Sequence, residues 1–159
     1  MIATGTCFMR GDEVERDSSV RGIVTFEWDE TEEVVIKGTI EGLKPGKHGL
    51  YILTLGNISN GYSSSGMHYN PCEKKHGGPQ DDERHVGDLG NIEAGDDGVA
   101  KFEMHDRLIR LAGNYSIIGR TLVVTENEDD LGKGENEGSI TGGNAGKGVA
   151  WGIIGIANK

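Results

Sequence analysis

The apolar residues of this chain fall in short β-branched runs, each closed by Gly, Asp or Asn. Runs of that kind, bounded by turn residues, predict strands rather than helices. They place strands over 22–29, 33–41, 48–55, 85–91, 99–105, 116–124 and 148–157, and an N-terminal strand over 4–10 brings the number to eight. Residues 108–111 read as a turn or short connection. No apolar stripe with a 3.6-residue period is sustained, and 27 glycines interrupt the chain every few residues. The pattern predicts an all-β sandwich or barrel. At 159 residues the chain is long enough to bury a core as one domain, 1–159, with no internal repeat and no dividing linker.

Two segments carry no strand pattern. One is 56–84, rich in Ser, Gly and Asn; the other is 125–147, rich in acidic residues. Loops this long in a compact domain are usually functional. The bland reading of the second, with Glu126, Glu128, Asp129, Asp130, Glu135 and Glu137, is a solvated and mobile loop.

Charge narrows the classes. The formal net charge is −10, whereas a nucleic-acid-binding surface needs a basic face. No window approaches the ~18 apolar residues of a membrane helix, and the first twenty residues hold no apolar run of the signal-peptide kind. A true start at Met1 and cytoplasmic residence are the expectations. Of the two cysteines, Cys7 in the first strand reads as a buried thiol. Cys72 reads as a free, reactive one. The sequons at Asn57 and Asn114 would matter only in a secreted chain.

The strongest chemical signal runs from His68 to Asp88, HYNPCEKKHGGPQDDERHVGD. His68, His76, His85 and Asp88 stand at H-x7-H-x8-H-x2-D. Three imidazoles and a carboxylate complete the four-coordinate shell that zinc takes. The expected metal is therefore one Zn2+ per chain, tying a loop with little apolar material to its neighbours. His48 fits a buried, hydrogen-bonded histidine, and His105 a surface one.

The run GPQDDERHVGDLGNI, with CFMRGD, SIIGRTLVV, DDLGKGENE, GGNAG and GIIGIAN, resembles the Cu/Zn superoxide dismutases. Many of these blocks also resemble the second domain of the copper chaperone for superoxide dismutase. The resemblance implies an eight-stranded Greek-key β-barrel with long zinc and electrostatic loops, and a homodimer. It implies zinc ligands at His68, His76, His85 and Asp88, with His68 bridging to copper. It also implies that Asp129 accepts hydrogen bonds from ligand histidines and so links the two metal halves. The copper half departs from the family pattern. Tyr51, Leu53 and Thr125 stand where three of its four copper ligands would be. Gly148 stands where its anion-guiding arginine would be, with Lys147 beside it. Tyr62 and Trp151 occupy the two half-cystine positions.

Copper is therefore not expected, and neither is dismutation, because zinc is redox-silent. The leading expectation is a zinc-structured pseudoenzyme with a binding, storage or structural role. Residual or altered redox chemistry at His68 and Tyr51 is one alternative. A partner-docking module, either a homodimer or a heterodimer with an active dismutase, is another. Its surface would use Ile118, Gly119, Ile154 and Ile156, with Gly56 nearby.

Overall fold

The structure, a computed structural model, describes residues 3–11 and 19–158. The expectations that fall on Met1 and Asp12 lie outside the described residues.

Ten strands and one short helix follow in the order β1 (Ala3–Arg10), β2 (Arg21–Trp28), β3 (Val34–Glu41), β4 (Gly46–Leu53), β5 (Ser59–Tyr62), β6 (Asp88–Ala94), β7 (Ala100–Asp106), β8 (Thr121–Thr125), α1 (Glu137–Gly142), β9 (Gly148–Ile153) and β10 (Gly155–Ile156). The sheet runs β6-β4-β8-β9-β1-β2-β3-β7, every pairing antiparallel, and β10 extends β9 along β1. Counting β9 and β10 as one interrupted strand gives eight strands in a nearly closed barrel. Two connections, β3 to β4 and β7 to β8, cross between non-adjacent strands, which makes a Greek key. The β3–β4 and β6–β7 turns are tied together: the Leu43 N–H donates to the Gly98 carbonyl at 3.0 Å. Gly98 sits at φ +76°, and a Cβ there would press on the Leu43 carbonyl.

Alternation along the strands sends one side chain in two inward. In β2, Val24 and Phe26 are fully buried, with Ile23 exposed between Gly22 and Val24. The core that closes around them includes Cys7, Ile36, Ile40, Leu50, Ile52, Leu89, Ile117, Leu122 and Ile154. Burial pushes the Cys7 thiol up to about 12, so it stays protonated and inert.

The strand boundaries depart from the sequence pattern where loops take over the apolar run. Residues 116–120 form a turn: Gly119 is at φ +84°, and the Arg120 N–H donates to Ile117. β8 therefore starts at Thr121. β6 starts at Asp88 because His85–Asp88 turns back on itself through an Asp88 N–H to His85 carbonyl bond of 3.1 Å. The predicted 148–157 strand breaks at Ile154, whose amide and carbonyl both bond the 119–120 turn. That break corrects one expectation. Ile154 is fully buried and cannot be surface, whereas Ile153 is 40% exposed and points outward in its place.

Among the described residues, no helix is long and apolar enough to cross a membrane. The inward turn of Ile154 makes a contrast that can be measured. Ile154→Ala should cost about 2–5 kcal/mol, and Ile153→Ala about 0.5 kcal/mol or less. Urea denaturation of the two variants reads both; equal losses would mean the register is wrong.

Candidate metal centre

The loop at 56–84 and the start of β6 bring His68, His76, His85 and Asp88 together. One donor atom from each lies within 4.8 Å of all the others. The Nδ1 atoms of His68 and His76 are both 2.9 Å from Asp88 Oδ1, and His85 Nδ1 is 3.2 Å away. Asp88 is fully buried. Its other oxygen, Oδ2, accepts backbone N–H groups from His85 at 2.8 Å and Gly77 at 3.1 Å. Those two bonds fix the carboxylate, so Oδ1 faces the three imidazoles.

His76 joins this cluster to the second long loop. Its Nε2 is 2.7 Å from Asp129 Oδ1, and its backbone N–H donates to the Ile140 carbonyl of α1 at 3.0 Å. Asp129 is held by Asn91 of β6, which accepts from its N–H at 2.8 Å and donates to its carbonyl at 2.9 Å. Gly143 closes α1 at φ +78° directly against the pair; a Cβ there would run into Asp129 Oδ1 and His76 Nε2.

The cluster fits a metal ion on its own geometry. His76 Nδ1 is buried and, despite its proximity to Asp88, makes no hydrogen bond. Buried polar atoms are rarely left so, and a cation at the centre would supply the missing partner. Burial penalises charge on both Asp88 and His76. The close approach of the three histidines nevertheless holds the Asp88 carboxyl well below the carboxylate range. The bond to Asp129 and the charge of Asp88 carry His76 up to about 9. Asp88 is thus ionised in advance, as a ligand must be.

The opposite face of His68 meets different residues. Tyr51 stacks on its ring, with centroids 4.1 Å apart and planes 24° apart. Burial pushes the Tyr51 phenol well above its ordinary value, with the charges of Tyr62 and Asp129 adding to the shift. Leu53 is buried in a small apolar cluster with Tyr51 and Val123, backed by Tyr62 and Trp151. Thr125 is fully buried. Its hydroxyl accepts from the Gly49 N–H at 2.8 Å and donates to the Asn127 carbonyl at 2.8 Å. Tyr62 and Trp151 meet edge to face at 5.1 Å. The Tyr62 ring also lies against Gly148, where a Cβ would come within 2.9 Å of it. Asp129 Oδ2 faces no hydrogen-bond partner.

Cys72 lies outside the cluster: it is exposed, with its Sγ 2.9 Å from the Tyr115 hydroxyl. His48 is buried with its ring nitrogens 2.7 Å from the Thr125 and Lys44 carbonyls, and His105 is exposed beside Glu33.

Two organisers escaped the sequence reading. Arg84 is 1% exposed and pairs with Asp106 at 2.7 Å. Its remaining donors go to the carbonyls of Pro79, His85 and Val86. It thereby pins the backbone on both sides of His85. Asp130 accepts from Ser139, Gly132 and Asn144 and shapes the second loop. An arginine or aspartate in a polar loop reads as solvated; only its adjacency to His85, or to Asp129, could have marked it.

Two outcomes follow. Asp106→Ala would strand the buried Arg84 charge and should cost about 3–5 kcal/mol, read by urea denaturation, and it should also weaken metal retention. Metal-stripped protein should lose stability as pH rises. The His76 contribution is complete below the unfolded value of 6.5 and is lost as pH climbs through about 9. The Asp88 contribution is lost in acid, below the usual carboxylate range. Melting temperatures in chelator at pH 6.5 and 9 test the basic limb; a higher value at pH 9 would contradict it.

The family model of copper/zinc superoxide dismutase (SODC) matches residues 20–154. That span holds the Greek key, both long loops and all four residues of the cluster. This chain belongs to the Cu/Zn superoxide dismutase family.

Proposed function

We propose that this chain is a zinc-binding, copper-free member of its family that does not dismutate superoxide, and that zinc serves it as a structural ion. Three imidazoles and one carboxylate match the ligand preference of zinc, and a structural zinc contributes folding energy directly. His68, His76, His85 and Asp88 are the ligands in this reading, and Asp129 orients His76 from behind.

One observation carries the loss of copper. Tyr51, Leu53 and Thr125, the residues at three copper-ligand positions, are all committed elsewhere: stacking and burial, an apolar cluster, and backbone hydrogen bonds. His68 alone offers copper an imidazole there, and a neutral buried phenol is no replacement. Altered redox chemistry at His68 and Tyr51 would need a phenolate that this burial opposes. Gly148 supplies no charge for anion guidance, and the Tyr62 ring fills the space in front of it. The role left is binding, storage or scaffolding within one domain, in the cytoplasm.

An association surface has separate support. Leu55, Ile153 and Ile156 are exposed apolar residues. Gly56 packs against Gly119 with Ile153 beside it, and Ile118 is half-buried next to them. A homodimer, or a heterodimer with an active dismutase, would cover this face.

Dialysis against equal zinc and copper, then metal analysis by mass spectrometry and a superoxide-decay assay on the same sample, tests the central reading. About one zinc per chain, no copper and no acceleration are expected. Retained copper with activity would overturn it.

A further inference from the structure

Beside the metal cluster the surface opens into a cleft of about 550 Å³. Its lining includes Tyr51, Leu53, Tyr62, Met67 and Tyr69 together with His68. No Asp, Glu, Lys or Arg lines it, in a chain whose net charge is −10. Partly enclosed apolar clefts with a few converging polar groups are the usual form of small-molecule sites.

The polar group here has a defined direction. His68 spends Nδ1 on the metal cluster. Its Nε2 turns the other way, toward Gly142, another wall of the cleft. An imidazole bound to metal through Nδ1 is neutral and carries its proton on Nε2, so it presents one N–H donor outward. Beside it the Tyr51 ring stacks on the imidazole, with centroids 4.1 Å apart and planes 24° apart. The cleft therefore offers aromatic faces, the His68 donor and the neutral polar side chains of Ser63, Asn70 and Thr141, with no Asp, Glu, Lys or Arg. A planar ring finds stacking and edge contacts there. A charged ligand would give up its hydration with no Asp, Glu, Lys or Arg on the walls to offset it.

We propose that the cleft over His68 binds a small, uncharged, planar aromatic molecule bearing a hydrogen-bond acceptor. This rests on the reading of His68 Nδ1 as a metal ligand. It goes beyond the metal-binding role, because it gives the vacated half of the site an organic occupant.

A charge series at constant shape tests it: benzamide, benzoate and benzylamine, titrated into zinc-loaded protein and followed by saturation-transfer NMR and by shifts of the His68 and Tyr51 ring signals. Benzamide should bind about tenfold or more tighter than either ion. Thr141→Trp replaces an exposed wall residue and should abolish benzamide binding while leaving the fold and zinc content unchanged. Met67→Trp, at another exposed residue of the lining, provides a second block. Equal affinities across the series, a preference for benzoate, no binding at millimolar benzamide, or binding that survives both tryptophans would each overturn the proposal. Zinc content is measured on the same samples. A protein that takes no zinc yet prefers benzamide overturns only the metal reading. One that loads zinc without the preference overturns only the cleft.

Discussion

The structure turns on one buried arrangement: a single imidazole, His76, held between two buried carboxylates. Asp88 and Asp129 are 0% and 1% exposed, and each places an oxygen within 3 Å of a His76 nitrogen. Two negative charges in a protein interior are costly unless positive charge and hydrogen bonds answer them. Either a proton on His76 or a cation among the three Nδ1 atoms supplies that charge. The two long loops meet at the same point. His76 belongs to the first loop, Asp129 to the second, Asp88 to the start of β6, and the His76 amide reaches α1.

The other side of His68 has been filled by residues that depend on one another. Tyr62 packs against Trp151 and leans over Gly148, so the aromatic pair takes the room that a side chain at 148 would need. An arginine at 148 would have to displace that ring first. On the same side Tyr51 stacks on His68, and Asp129 Oδ2 makes no hydrogen bond. Tyr51, Leu53, Tyr62, Val123 and Trp151 pack as one cluster, so a change at any one of them is felt by the others.

Much of this was legible in the chain. Alternation marks strands because an inward-facing position cannot be polar without a partner, and Val24, Phe26 and Ile36 obey that rule. The four clustered residues could be read because their spacing and chemistry leave few other uses. What was hidden depends on where backbone polar groups go. The apolar run at the C-terminus gives no hint that Ile154 bonds the 119–120 turn and so rotates inward, leaving Ile153 outside. Arg84 could not be identified as buried, because its cost is offset by carbonyls contributed by a loop whose path the sequence does not reveal. The helix α1 is too short for any period to appear, and it is set by the Asn136 cap on Ser139 and by Gly143.

The two faces of His68 thus have opposite physics, and the imidazole is what allows them to share a wall. On the Nδ1 side are a buried carboxylate and convergent ring nitrogens, where positive charge is favoured. On the Nε2 side are aromatic rings and an uncharged cleft, where an ion would be poorly solvated. An imidazole can serve both because its nitrogens are separate: charge placed on one fixes the proton on the other. In the proposed reading, occupancy of the metal site sets the hydrogen-bonding sense of the cleft. Metal on Nδ1 makes Nε2 a donor. In the stripped protein, a neutral His68 that keeps its proton on Nδ1 for Asp88 offers Nε2 as an acceptor. The same side chain that would bridge two metals in a dismutase would here couple one metal to an uncharged neighbour.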